Sequence, residues 1–363
     1  MVEAVEIQKG FKQTEVGVIP GDWDIKKLDD LSDMKSGETI TSKTISELDI
    51  YPCYGGNGLR GYTDRFTHNG DFALIGRQGA LCGNVQYVEG KFFASEHAVV
   101  VTPNTKTDVK WLYYALADMN LNQYSESSAQ PGLSIVKILK LSIPSPPTKA
   151  EQTAIATALN DADALIAQLE KLIAKKRAIK QGAMQELLKP KEGWVVKKLG
   201  EVLKIRHGKS QKEVTTDNGI YPILASGGVI GRAKIFLYDK PSVLIGRKGT
   251  IDEPQYMDTP FWSVDTLFYT EINQGYDPKF IFYMFNLIDW YSYNEASGVP
   301  SLNAKTIESI KKQFPKFEEQ TRIAKILSDM DTEINALEKK LNKYKMIKQG
   351  MMQNLLTGRI RLI

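Results

Sequence analysis

Cysteine and histidine are scarce: two of the first, Cys53 and Cys82, and three of the second in 363 residues. That rules out a disulfide framework and suits a reducing cytoplasm. Cys53, His68, Cys82 and His97 are spaced 15, 14 and 15 apart, whereas zinc ligands usually pair about two to five residues apart. A metal site is not expected. There is no run of about 18 apolar residues to span a membrane. The start, Met1-Val-Glu-Ala-Val-Glu6, is too acidic and polar for a targeting segment. The expected location is therefore the cytoplasm. Charge is nearly balanced, with 47 basic and 43 acidic residues for a net +4, which permits nucleic acid without demanding it. A hydrophobic content of 42% with 25% charged residues is that of an ordinary globular protein, and the length suggests two or three domains.

Catalytic signatures are missing too. The chain lacks Gly-x-x-x-x-Gly-Lys-Ser/Thr for ATP and Phe-x-Gly-x-Gly for S-adenosylmethionine, and Ser145-Pro-Pro-Thr148 lacks the Asp/Asn and aromatic of an amino-methyltransferase motif. Asp71 with Glu89-Gly-Lys91 has the residue types of a Mg²⁺ nuclease site. The second half of the chain has no counterpart to Glu89 and Lys91, so no catalytic residue and no bound cofactor or metal is expected on this chain.

What is present is a duplication. Trp23-Asp-Ile-Lys-Lys-Leu28 returns as Trp194-Val-Val-Lys-Lys-Leu199, and Leu74-Ile-Gly-Arg77-Gln-Gly79 as Leu244-Ile-Gly-Arg247-Lys-Gly249. Lys180-Gln-Gly182 with Met184, Gln185, Leu187 and Leu188 returns as Lys348-Gln-Gly350 with Met352, Gln353, Leu355 and Leu356. The offset falls only from 171 to 168, far beyond the roughly 20–50 residues of a solenoid repeat. Two similar domains in one chain can address two similar targets.

Each copy has two parts. The first is rich in glycine, aromatics and β-branched residues. Strand-like runs such as Asp71–Ile75, Ala98–Thr102 and Pro241–Ile245 lie between glycine turns, with aromatic helices at Trp111–Leu116 and Phe280–Phe285. The second part is a long heptad helix. Ile323, Leu327, Met330, Ile334, Leu337, Leu341, Tyr344, Met351 and Leu355 form its apolar seam in one copy, interrupted at Lys348. Ile155, Leu159, Ala162, Ile166, Leu169, Ile173, Lys176, Ala183 and Leu187 form it in the other, interrupted at Lys180. About 40 residues at 1.5 Å each predict a rod on the order of 60 Å. The expected fold class is α+β: two repeated α/β globules separated by a long antiparallel two-helix coiled coil. The expected segments are 1–21, a first globule 22–145, a central helix 146–190, a second globule 191–315 and a C-terminal helix 316–363.

Lysines crowd the distal half of each helix, where the dipole favours cations. The Lys-Gln-Gly repeat is harder to explain that way. A glycine within a heptad pattern costs about 1 kcal/mol against alanine, which is understandable if a partner's backbone approaches there. Lys176, Lys180, Gln181 and Gly182, with Lys348, Gln349 and Gly350, are the candidate partner-binding residues.

These motifs, together with Pro146-Pro-Thr-Lys-Ala-Glu-Gln152 at the first helix start, resemble the specificity subunit of type I restriction-modification systems. Pro315-Lys-Phe-Glu-Glu-Gln320 departs from that helix start by having a single proline. The resemblance runs from about Thr14 to Gly358. It implies two target-recognition domains, each reading half of a bipartite double-stranded DNA site. It also implies helices that space them and dock two methyltransferase subunits, with motor-nuclease subunits joining the complex. S-adenosylmethionine would then be held by the methyltransferase, and ATP and Mg²⁺ by the motor-nuclease. A related two-subunit restriction enzyme that cleaves on both sides of its site has a specificity subunit of the same kind. A coiled-coil scaffold with two protein-binding domains is the alternative from another class.

Duplication separates framework from readout. Gly76 and Gly246, Arg77 and Arg247, and Gly79 and Gly249 are shared by the copies. A shared arginine suits a phosphate, which carries no sequence information; an internal salt bridge is its other use. The loops differ at Asn57 against Gly227, Arg60 against Ile230, Tyr62 against Arg232, Gln78 against Lys248, His97 against Thr266 and Gln130 against Val299. Asn, Gln, Arg and Lys supply the donors that distinguish base edges in the major groove. The candidate DNA-binding residues are therefore Asn57, Arg60, Tyr62, Arg77, Gln78, His97, Gln130, Arg232, Arg247 and Lys248. Deleting one heptad from one helix is expected to change the spacing of the recognised half-sites or abolish activity. An unchanged methylated motif would contradict the spacer role.

Overall fold

The computed structural model describes residues 9–79, 81–126 and 131–362. By contacts the chain divides into two compact units. One comprises residues up to Leu169 together with Lys340–Ile363, and the other Glu170–Lys339. The expected mixed α/β repeat is present in both. No helix among the described residues is long and apolar enough to cross a membrane.

In the first unit a four-stranded antiparallel sheet runs in the order Ser32–Ser36, Ala98–Pro103, Phe72–Gly76 and Val85–Val88. Ala98–Val101 are all buried because this strand is covered on both faces. Side chains alternate between faces along a strand. Val99, Val101 and Ile75 thus join the main core with Trp23 and Trp111. Ala98, Val100 and Leu74 join a second core with Phe92 and Ala94. Phe92 and Ala94 belong to another sheet, ordered Gly58–Thr63, Tyr51–Gly55, Lys91–Ala94 and His68–Asn69.

The second unit repeats the plan. Leu203–His207, Leu267–Ile272, Ser242–Gly246 and Gln255–Met257 form the four-stranded sheet, beside a three-stranded sheet of Gly228–Ala233, Tyr221–Ala225 and Trp262–Ser263. Val243, Ile245 and Phe268 face one core, and Leu244, Leu267 and Tyr269 the other.

The repeated sequence motifs have structural jobs. The Trp-x-x-Lys-Lys-Leu segments become the strands Asp24–Lys27 and Val195–Lys198. These pair antiparallel with Ser142–Ser145 and Lys311–Phe314, the last strands of their globules, so the ends of each globule meet where its long helix begins. The glutamine of each Glu-Gln helix start is buried. Gln152 Oε1 accepts from the Asp108 backbone N–H at 2.8 Å, and Gln320 Oε1 from that of Asp277 at 3.0 Å. Asp108 and Asp277 in turn cap the aromatic helices Val109–Asp118 and Pro278–Phe285, satisfying amide groups that a helix start leaves open.

The long helices span Lys149–Leu187 and Phe317–Leu355, 39 residues each. Within each unit the start of one packs against the end of the other. In the first unit Ile155 and Leu159 share the main core with Leu355 and Leu356. In the second, Ile323 and Leu327 share it with Met184 and Leu188. Ion pairs fix the direction. Lys176 pairs with Glu333 and Lys180 with Asp331, so position advances along one helix as it falls along the other. The seam differs from expectation at the first helix end, where Met184 and Leu188 are buried while Ala183 and Leu187 are only half-buried. There the helix packs onto a globule core as well as onto a helix, and the buried stripe widens.

Leu355 lies some two hundred residues beyond the globule whose core it completes. Leu355→Ala is expected to cost about 2–5 kcal/mol, the usual range for a buried leucine. Amide exchange should accelerate within 22–145 and not within 191–315; equal acceleration in both would contradict this closure.

Candidate nucleic-acid interface

The Gly-Arg-x-Gly loops leave an inner strand of each four-stranded sheet and are held by the same backbone bonds in both copies. Arg77 N–H donates to the His97 carbonyl and Arg247 N–H to that of Thr266, both at 2.8 Å. Gly79 N–H donates to Pro131 and Gly249 N–H to Pro300, while Leu133 and Leu302 donate back to Arg77 and Arg247, all at 3.0 Å. Gly76 must be glycine, because a Cβ there would collide with the Gly56 carbonyl. That contact seats the hairpin tip Gly56–Asn57 against the loop, and a Cβ on Gly56 would in turn meet the Gln78 carbonyl. Asn57, Arg77, Gln78 and His97 are thereby brought together.

The side chains on this common frame differ. Gln78 and Lys248 are exposed and Arg77 and Arg247 half-buried. Arg77 Nη1 donates to Ser36 Oγ at 3.0 Å, and Arg247 Nη1 to the Asp265 carbonyl at 3.2 Å. Neither guanidinium forms an ion pair among the described residues. A cavity of about 410 Å³ lies between Arg77, Gln78, Glu126 and Ser134. Its counterpart of about 320 Å³ is lined by His207, Arg247, Lys248, Glu295 and Lys305. His207 and Lys305 escaped the sequence reading. Their signal was position: His207 stands where the first copy has Ser36.

The remaining candidates are more dispersed. Arg60 is exposed and Tyr62 half-buried on the strand Gly58–Thr63, where Tyr62 exchanges backbone bonds of 2.8 Å with Ser46. Arg232 is exposed on Gly228–Ala233 and donates to the Ile220 carbonyl at 3.2 Å. His97 Nε2 lies 3.3 Å from Glu96 Oε1. Gln130 lies outside the described residues.

The helix candidates divide into two kinds. Lys180 pairs with Asp331, whose other oxygen accepts from the Tyr283 hydroxyl at 2.7 Å; the ammonium sits 5.4 Å from that ring's centre. Lys348, Asp163 and Tyr114 repeat this, with the ion pair at 2.6 Å, the hydroxyl bond at 2.8 Å and the ring at 5.5 Å. Burial, and then the bond to the carboxylate, push both tyrosine hydroxyls well above their ordinary pKa, keeping them protonated as donors. Lys176 pairs with Glu333 at 2.7 Å. These three lysines serve internal contacts. Gln181, Gly182 and Gln349 are exposed and Gly350 half-buried, and a Cβ on either glycine would meet nothing within 4 Å. Packing within the described chain does not require those glycines.

The scattered cysteines and histidines do not converge. Cys53 lies in a small core with Phe93, Cys82 in the main core, and His68 stacks on Phe92 at 5.3 Å. Burial pushes both thiols up and the His68 imidazole down, disfavouring the thiolate and imidazolium forms. No group of three or more His, Cys, Asp or Glu placed to hold a metal ion occurs among the described residues.

A family model for the type I restriction modification DNA specificity domain matches residues 20–181 and again 191–344; the chain belongs to that family and carries two copies of its domain. It is 49% identical over 126 residues to the type I restriction enzyme EcoprrI specificity subunit of Escherichia coli, covering 33% of this chain and 31% of that relative. The chain thus matches less than a third of that relative's length. It is also 24% identical over 321 residues to a putative type I restriction enzyme specificity subunit of Haemophilus influenzae, covering 79% of this chain and 81% of the relative. Its fold is similar to that of the type I restriction-modification S subunit of M. genitalium, with a TM-score of 0.74 at 20% identity over 97% of this chain and 98% of the other.

Lys180→Ala and Lys348→Ala are each expected to lower stability by about 1–3 kcal/mol, since each strands a partly buried aspartate. Gly182→Ala should raise it by up to about 1 kcal/mol. Urea denaturation of the three variants measures this, and loss of stability in Gly182→Ala would show that the glycine serves packing.

Proposed function

We propose that the protein is the non-catalytic DNA-recognition subunit of a type I restriction-modification complex. Each globule reads one half of a bipartite site in the major groove, and the paired helices set the interval between half-sites and dock two methyltransferase subunits. The observation that supports this best is the duplicated loop frame. The same backbone bonds hold both Gly-Arg-x-Gly loops, yet they display Gln78 in one copy and Lys248 in the other. Two readers of different sequences require that arrangement. Arg77 and Arg247 would take phosphates, which set register. Asn57, Gln78 and His97, and Lys248 in the other copy, would take base edges. Arg60, Tyr62 and Arg232 flank these positions on the hairpins.

Chemistry belongs to partners in this reading. S-adenosylmethionine on the methyltransferase would methylate an adenine in each half-site, flipped from the stack as such chemistry requires. ATP and Mg²⁺ would serve motor-nuclease subunits. Gln181, Gly182, Gln349 and Gly350 are the helix positions open to a docked subunit, while Lys176, Lys180 and Lys348 hold the helices that present them.

Co-expression with the methyltransferase subunit, followed by genome-wide mapping of methylated bases, tests the proposal. The expected result is a split motif with a fixed gap. Gln78→Ala should relax one half by roughly tenfold and Lys248→Ala the other, within the discrimination of one good base contact. A stable complex that methylates no split motif would contradict the recognition role.

A further inference from the structure

The hairpins Tyr51–Gly55/Gly58–Thr63 and Tyr221–Ala225/Gly228–Ala233 break register at the same place. In the first, Cys53 opposes Gly61 and Tyr54 opposes Leu59, leaving Arg60 as the extra residue. In the second, Ile223 opposes Gly231 and Leu224 opposes Val229, leaving Ile230. A bulge takes its extra residue out of the ladder and re-aims the side chain. The same backbone device thus presents a guanidinium in one copy and an aliphatic group in the other.

In the second copy the aliphatic pair is set in water. Val229 is 63% and Ile230 55% exposed. Their surroundings are cationic. Arg232 and Lys234 are exposed just beyond them. The hairpin tip lies beside the Lys248 loop: Gln255 Nε2, on the neighbouring strand, donates to the Ala225 and Ser226 carbonyls at 2.9 and 3.2 Å, and a Cβ on Gly249 would lie 3.6 Å from Ser226 Oγ. An apolar pair flanked by cations matches a DNA major groove, where phosphates meet the cations and the thymine C5-methyl is the apolar group on the base edges. Arg60, by contrast, has the fork that suits guanine O6 and N7.

We propose that Val229 and Ile230 are the thymine-methyl contact of the second globule, so that its half-site contains an A·T pair read through that methyl. This rests on the DNA-recognition reading above. The test uses the full chain assembled with its methyltransferase subunits and duplexes carrying its motif, with each thymine replaced in turn by deoxyuridine, which removes the C5-methyl alone. One or two positions within a single half-site should weaken binding about fourfold, the effect of one buried methyl. The double variant Val229→Ser with Ile230→Ser should bind thymine and deoxyuridine duplexes equally, while Gln78→Ala should retain the difference. Sequence-selective binding indifferent to every such methyl, or a difference that survives in the double variant, overturns this assignment and leaves the recognition reading standing. Impaired subunit assembly in the double variant, with its thymine preference intact, assigns the patch to a protein partner and also overturns it. Absence of any sequence-selective binding overturns both readings.

Discussion

The structure depends on one exchange: each globule's core is completed by the far end of the other copy's helix. Leu355 and Leu356 enter the core that holds Trp23 and Trp111, and Met184 and Leu188 enter the one that holds Phe280 and Trp290. Beside each apolar layer a lysine from the incoming helix meets an aspartate that also accepts a tyrosine hydroxyl from the globule. Apolar burial supplies most of the adhesion and has no direction. The lysine–aspartate–tyrosine clusters supply register, since a half-buried aspartate without its cation is costly. A slide of either helix would break both at once.

That constraint bears on function through rigidity. The Gly-Arg-x-Gly loops commit their backbone groups to fixed partners, Arg77 and Gly79 to His97 and Pro131, and Arg247 and Gly249 to Thr266 and Pro300, so their geometry does not depend on the side chain they display. Gln78 and Lys248 then become free to differ. The bulged hairpins follow the same rule, one ladder geometry carrying Arg60 or Ile230. A fold that fixes the backbone of a loop can exchange its exposed side chain at little cost in stability, and duplication supplies two such loops on one chain.

Much of this was legible in the residues. Strands at Phe72–Gly76, Ala98–Pro103 and Ser242–Gly246, the aromatic helices, and two long helices of equal length all follow from local pattern. The shared Gly-Arg-x-Gly motif marked two loops that the structure holds with the same backbone bonds. A residue kept in both copies serves something common to both. Repetition alone did not separate the Lys-Gln-Gly residues. Lysine and glycine repeat together, but one turns inward to an aspartate and the other outward to open space.

The chain's own pattern therefore determined the duplication, the α/β character of each copy and the heptad seams, because these are properties of neighbouring residues and of periodicity. Tertiary structure alone decided which lysines are internal, why Met184 and Leu188 are buried where the heptad pointed to Ala183 and Leu187, and that Arg60 and Ile230 occupy a bulge. Each of those depends on a partner that periodicity cannot locate. Lys180 finds its aspartate 151 residues away, and the bulge exists only once two strands have chosen their register. The side chains of one segment carry its preference for helix or strand; what that segment meets is settled by the packing of the whole.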